Sequence, residues 1–303
     1  MLKIIPLLLA ALGVVSAAAY AAPELTVTNF GQSIESENTS NGSHDGDDLW
    51  LWNTVGLKYN DWTFGLTAGK QWGVNFDDHK GNEKGMTSDD HRLQFDVSKP
   101  VTENLKLTGR YRGQKTYYRF QVGYAYNYGM LLSSGDFFYD SVNGNGHDTF
   151  HVEWFPVGVN LGPVQLKYYL EYVEDLGGRE PGQRESYIDH QLRAYATLYK
   201  GERLTLSTEG RFTIVQDEDY NGQPLTKVGD EYQKGYRHFD DFGRIRLYLK
   251  ANYALTENLD VYGTVGYGMR DYKLEDNDNG NGYKDDYTGK YWSNVVIGYN
   301  YKF

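Results

Sequence analysis

The sequence predicts an all-β fold: a closed transmembrane antiparallel β-barrel of fourteen strands in a single domain. Three observations lead there. Apolar and polar residues alternate with period two through long stretches, the mark of a strand with two unlike faces. The stretches run roughly 9–12 residues, longer than the ~5–6 of soluble strands and long enough for a tilted strand to cross hydrocarbon. Short turns and long polar loops alternate between them, as they do where one barrel rim carries turns and the other carries loops.

Composition narrows the alternatives. The 303 residues carry 30 Lys and Arg against 41 Asp and Glu, a formal charge of -11, with mean hydropathy -0.65. Beyond the first segment no apolar run is long enough for a helical span. The 28 Tyr, 13 Phe and 6 Trp are too many for a disordered acidic chain. With no Cys there is no disulfide framework, thiolate nucleophile or Cys-ligated zinc. Net acidity argues against a nucleic-acid partner.

Met1–Ala21 reads as a secretory signal. Lys3 supplies the positive end, Ile4–Val15 the apolar core, and Ala19-Tyr20-Ala21 the small residues a signal peptidase reads. Pro23 disfavours cleavage after Ala22, so cleavage is placed after Ala21. Losing Lys3 takes the charge from -11 to about -12 for the mature chain, residues 22–303, the barrel domain.

The strands follow in order. Alternation places them at Leu25–Ser36, Leu49–Tyr59, Trp62–Val74, Arg92–Lys99, Leu105–Arg112, Tyr118–Tyr128 and Leu131–Ser141. The others are Thr149–Leu161, Val164–Val173, Tyr187–Tyr199, Arg203–Gln216, Phe242–Leu255, Leu259–Leu274 and Tyr287–Phe303. The stretch Tyr126–Asp148 is least periodic, so twelve strands is the alternative; either even count returns both termini to one rim. The cleanest pattern is Arg244–Tyr253, with Ile245, Leu247, Leu249, Ala251 and Tyr253 on one face and Arg244, Arg246, Lys250 and Asn252 on the other. The short turns are Asn60-Asp61, Pro100–Asn104, Gly162-Pro163, Lys200–Glu202 and Thr256–Asn258. The long loops are Glu37–Asp47, Asn75–Asp89, Glu174–Glu185, Asp217–Gly235 and Glu275–Asp286. Trp50, Trp52, Trp62 and Trp154, near strand ends, are expected in an interfacial belt.

A barrel's function lies on its polar face. The basic candidates are Arg92, Lys106, Arg110, Arg112, Arg119, Lys167, Arg193, Arg203, Arg211, Arg244, Arg246, Lys250, Lys290 and Lys302. The acidic ones are Asp96, Glu153, Glu171, Asp189, Glu209 and Asp260, with Tyr169, Tyr195, Tyr248 and Tyr262 interleaved. Two readings stay open. Excess basic charge concentrates anions in the bore, or the charges pair across strands and only keep the lumen wet.

Signals for chemistry are weak, and no catalytic, cofactor or metal residue is nominated. Ser40-Asn41-Gly42 resembles a piece of outer-membrane phospholipase A, but the His expected two residues earlier is Asn38. Asp90-His91, His147-Asp148 and His238 near Asp240-Asp241 resemble the rim of omptin proteases, which have ten strands. Glu275–Asp286 has calcium-loop spacing but the wrong end residues, and His147 and His151 are isolated.

The last strand ends Tyr299, Tyr301, Phe303 on one face, which resembles the assembly signal of bacterial outer-membrane proteins. With a signal peptide, amphipathic strands and an Arg/Lys-studded polar face, the chain resembles a monobarrel porin, most like the FomA-type major porins of fusobacteria. Val101–Arg112 also resembles the KdgM-type acidic-oligosaccharide porins, which are shorter and twelve-stranded. The resemblance implies a bacterial outer-membrane location and a water-filled channel for passive diffusion of small hydrophilic solutes. It implies no enzyme and no cofactor, with lipid, lipopolysaccharide, the outer-membrane assembly machinery and small hydrophilic or anionic solutes as partners. A selective channel for acidic oligosaccharides, a surface adhesin or structural barrel, and a rim hydrolase are the alternatives. Oligomeric state is left open.

Overall fold

The computed structural model describes residues 24–39, 48–75, 85–144, 146–177, 184–220, 225–228, 231–234, 236–238, 242–275 and 283–303. The expected signal segment Met1–Ala21, the Ser40-Asn41-Gly42 segment and residues 276–282 of the calcium-loop-like stretch fall outside them. So do Asp240-Asp241 and the side chains of His238 and Lys290.

The strands are β1 (Thr26–Thr39), β2 (Asp48–Tyr59), β3 (Trp62–Asn75), β4 (Gly85–Pro100), β5 (Leu105–Gln114), β6 (Tyr117–Tyr128), β7 (Leu131–Val142), β8 (Thr149–Asn160) and β9 (Val164–Asp175). Then come β10 (Arg184–Lys200), β11 (Leu204–Tyr220), three short strands β12 (Leu225–Val228), β13 (Glu231–Lys234) and β14 (Tyr236–His238), and β15 (Arg244–Ala254), β16 (Leu259–Glu275) and β17 (Tyr283–Lys302). From β1 to β11 each strand pairs antiparallel with the next; β11 pairs with β15, β15 with β16, β16 with β17, and β17 with β1. The ring closes with 14 barrel strands among the described residues. Every strand predicted from alternation is present.

The expectation that Asp217–Gly235 is a loop is corrected. β11 runs to Tyr220, β12 and β13 form a separate hairpin, and β14 extends the ladder of β16. β4 likewise starts at Gly85, inside the expected loop, and β17 at Tyr283. Backbone pairing continues past the apolar belt, where both faces meet water and period-two hydrophobicity vanishes.

The barrel is turned inside out relative to a soluble protein. Leu249 is 53% exposed and Ile297 67%, while Asp189 is fully buried. Thr213, Glu209, Asn294 and Gln216 are also buried. In a soluble sandwich apolar side chains would face inward and charges outward. Here the apolar face is the outer one and the polar face lines the interior, as in a membrane-spanning barrel.

Tyr59, Trp62, Tyr128, Tyr199, Tyr253 and Tyr301 are exposed beside the short-turn rim and form its outward aromatic girdle. Trp154 also points outward, but from mid-strand. Trp50 and Trp52 are corrected: they point into the barrel, sharing a face with Thr54 and Gly56. Their outward neighbours Leu49, Leu51 and Val55 hold the membrane face, so period two turns both indoles inward.

Bulges set which residues face inward. In β8 the register slips between Trp154 and Gly158, around Pro156, which has no N–H for the ladder. Trp154 therefore faces out and Gly158 in, despite their even spacing. A slip between β10 and β11 leaves both Thr213 and Gln216 on the inner face.

Candidate functional site

The inner face divides into three groups. On β2–β5, Trp50 and Trp52 stack with ring centroids 4.4 Å apart, and the Arg92 guanidinium lies 5.0 and 4.9 Å from them. Gly69, opposite Trp52, makes the stack possible, because any Cβ there would run into the Trp52 ring. Arg92 Nε donates to Gln114 Oε1 at 2.8 Å, and Tyr117 donates to the same oxygen at 2.7 Å. Gln114 Nε2 donates to Asp90 at 3.0 Å. Asp90 also accepts from the backbone N–H groups of His91 and Lys115, so the Asp90-His91 pair organises a turn.

On β4–β8, Arg110 pairs with Asp96, and Arg112 donates to Gln94 at 2.9 Å. Arg119 binds Asp140 through two 2.7 Å hydrogen bonds while its guanidinium sits 3.8 Å from the centre of the Phe138 ring. His151 stacks on the same Phe138 at 4.6 Å.

The third group surrounds a cavity of about 450 Å³ lined by Glu153, Tyr169, Glu171, Tyr187, Gln191, Arg193, Arg211, Thr213, Arg244 and Arg246. Arg193 lies 3.4 Å from the Tyr169 ring centre and donates to Gln191 at 2.8 Å; Tyr169 is only 2% exposed. Lys167 lies between Phe155 and Tyr195, 5.4 and 5.2 Å from their centres. Arg211 pairs with Glu209 at 2.7 Å, and Lys250 reaches the other Glu209 oxygen at 2.5 Å. Arg244 pairs with Asp189. Arg246 stands 4.9 Å from the Trp292 ring, and Glu171 accepts from Tyr169 at 3.1 Å.

Lys106 shares the Arg110 face but is exposed at the short-turn rim, away from these clusters. Arg203 sits in the turn before β11 rather than on the wall. Tyr299, Tyr301 and Phe303 are on the outer face; Tyr301 and Phe303 pack edge to face at 5.1 Å, and the Phe303 N–H donates to the Thr28 carbonyl at 3.1 Å.

The sequence census of charge was incomplete. Glu35 and Glu37 on β1 face inward, accepting from Trp52 at 2.8 Å and Trp292 at 2.6 Å. Asp136 and Asp140 on β7 face inward too. Inward basic and acidic residues are therefore closer to balance than the sequence count of candidates suggested, and many cations are paired across strands. At the outer rim, the Asp148 carboxyl is held below the usual carboxylate range because the Tyr139 hydroxyl and the Val142 N–H donate to it.

No protein-family model matches the chain, and no curated protein sequence does. Among solved structures, a bacterial polysaccharide outer membrane secretin overlaps with a TM-score of 0.50 at 9% identity, over 90% of this chain and 98% of its own. An anion-selective porin from Comamonas acidovorans gives 0.43 at 12% identity, over 92% of this chain and 100% of its own. A KdgM porin gives 0.38 at 10% identity, over 91% of this chain and 99% of its own. At these identities the likeness is one of fold, carried by the secretin overlap. Topology and burial together make the chain an outer-membrane-type β-barrel.

Proposed function

We propose that the chain is a porin: a barrel in a bacterial outer membrane whose water-lined interior passes small hydrophilic solutes by passive diffusion. The observation that carries this reading is the inverted burial. Charged and amide side chains crowd the interior, where Asp189, Glu209 and Gln191 are buried, while Leu249 and Ile297 are exposed outside. A barrel that only anchored an adhesin would gain stability from an apolar filling, and charges in a closed dry core cost several kcal/mol each. The resemblance to the FomA-type porins supports the same function and implies no enzymatic step. Partners on this reading are membrane lipid, lipopolysaccharide and the assembly machinery that reads Tyr299, Tyr301 and Phe303.

A second, narrower reading is a channel for acidic oligosaccharides, as the KdgM-type resemblance implies. It is favoured by guanidinium groups laid over aromatic rings, Arg193 on Tyr169, Arg211 on Tyr248 and Arg246 on Trp292. The rings hold these guanidinium groups flat, and each offers a sugar's carboxylate a planar fork.

Planar-bilayer recording of the refolded chain tests the porin reading. Discrete conductance steps with a weak ion preference are expected. A folded, inserted barrel that passes no current would refute it, and hydrolysis of phospholipid or peptide by the folded protein would favour the rim hydrolase.

A further inference from the structure

The cavity on β8–β11 and β15 has two walls of opposite charge. Glu153, Glu171 and Asp189 stand in one register row across β8, β9 and β10. Like charges directly opposite each other on a sheet are unfavourable. Among the described residues, Glu153 and Glu171 nevertheless have no salt bridge to a cation. The row also holds an unmet acceptor: Asp189 is fully buried, and its Oδ1 has no hydrogen-bond donor among the described residues. No three acidic or His side chains among the described residues are gathered closely enough to hold a metal ion. Along β10, four residues or ~13 Å of backbone away, stands Arg193, at ~3.3 Å per residue. Arg193 forms no salt bridge among the described residues; it is held flat on Tyr169 and by Gln191.

We propose that this cavity is a subsite for zwitterionic solutes, amino acids and short peptides, with the ammonium at Glu153 and Glu171 and the carboxylate at Arg193. It rests on the porin reading and adds the solute class. A simple anion meets the carboxylate row, and a simple cation meets the guanidinium; a dipolar solute satisfies both. The volume, about 450 Å³, falls within the ~300–1,000 Å³ of small-molecule pockets. Tyr169 links the two charges: its ring carries the Arg193 guanidinium at 3.4 Å and its hydroxyl donates to Glu171 at 3.1 Å, so they stand about one tyrosine ring apart.

The test is liposome swelling with the full chain and three related probes, Ala-Ala, N-acetyl-Ala-Ala and Ala-Ala amide, each rate taken relative to a neutral solute of its own size. Ala-Ala is expected to enter at least threefold faster than either singly charged analogue. Glu153→Gln with Glu171→Gln should erase its advantage over the acetylated peptide and keep its advantage over the amide. Arg193→Gln should do the reverse, and Arg193→Lys should retain both. Each variant is first shown to be folded by heat-modifiable migration; if Arg193→Gln does not fold, the glutamate pair and Arg193→Lys decide. Equal rates for all three probes in an ion-conducting barrel would overturn the subsite and leave the porin reading intact. If the barrel passes no ions, the porin reading fails, and calorimetry of Ala-Ala on the detergent-folded chain decides the subsite. Binding weakened at least fivefold by Glu171→Gln supports it, and no binding overturns it.

Discussion

Replacing Arg244 with Ala should destabilise the barrel far more than replacing an exposed cation. Asp189 has no exposed surface, and one of its oxygens accepts from Arg244, from the Tyr187 hydroxyl at 3.1 Å and from Gln191 Nε2 at 2.5 Å. Arg244→Ala removes the positive partner and leaves two neutral donors to hold a buried anion. Breaking such a pair from one side costs about 3–5 kcal/mol. The Arg244 side chain is 18% exposed toward a polar cavity, so water enters the vacated space and the low end, about 3 kcal/mol, is expected. The Lys99–Asp61 pair, 3.3 Å apart with side chains 40% and 50% exposed, is the internal control; Lys99→Ala should cost no more than about 1 kcal/mol. Urea unfolding in lipid vesicles, followed by tryptophan fluorescence, measures both. Adding Asp189→Asn to Arg244→Ala should recover most of the loss, because the anion is gone while the donors stay. A cost for Arg244→Ala as small as that for Lys99→Ala, or no rescue by Asp189→Asn, would refute the reasoning.

Other outcomes follow from the same geometry. In single-tryptophan variants, brominated acyl chains should quench Trp154 and Trp62 and leave Trp50 and Trp292 bright; equal quenching would put the indoles on the wrong faces. Gly69→Val should push Trp52 off Trp50 and Arg92, costing about 1–3 kcal/mol by overpacking, readable as a lower urea midpoint. In this cysteine-free chain, Lys115→Cys should react with an impermeant maleimide on intact cells and Asp61→Cys should not; the reverse result would invert the topology. Deleting Phe303 should lower the outer-membrane level and leave an unfolded periplasmic pool, seen as lost heat-modifiable migration.

The strands were legible because a strand with two unlike faces must alternate: Leu247 and Leu249 face lipid while Arg246 and Lys250 face the bore. What lay opposite what was less legible. Asp140, the partner of Arg119, sits on β7, where Phe137, Phe138 and Tyr139 put aromatics on both faces and blur the period. Pro156 gave a local hint of the β8 bulge, but its effect on facing appears only in the register. Trp50 and Trp52 look like belt residues by position; only their phase against Leu49 and Leu51 turns them inward. The cavity was out of reach, since Glu153, Glu171 and Asp189 become neighbours only through strand pairing, and carboxylates far apart in the chain carry no mark of adjacency.

The contact between β1 and β17 joins residues at opposite ends of the chain. On the bore side it is fastened by Asn29 to Asn300 at 3.0 Å, Asn294 to Glu35 at 2.9 Å and Trp292 to Glu37 at 2.6 Å. These partners are 271, 259 and 255 residues apart in sequence. Closing a flexible loop of that length costs roughly 5 kcal/mol beyond the constant term, whereas each hairpin of about 20 residues costs nearer 3. The sheet can therefore grow hairpin by hairpin, while its two free edges come together only when nearly all of the chain is in place. Until then each edge offers unpaired backbone N–H and C=O groups to any other strand nearby. The side chains that fasten this seam are thus also what separates a finished single ring from a chain still open to pairing with its neighbours.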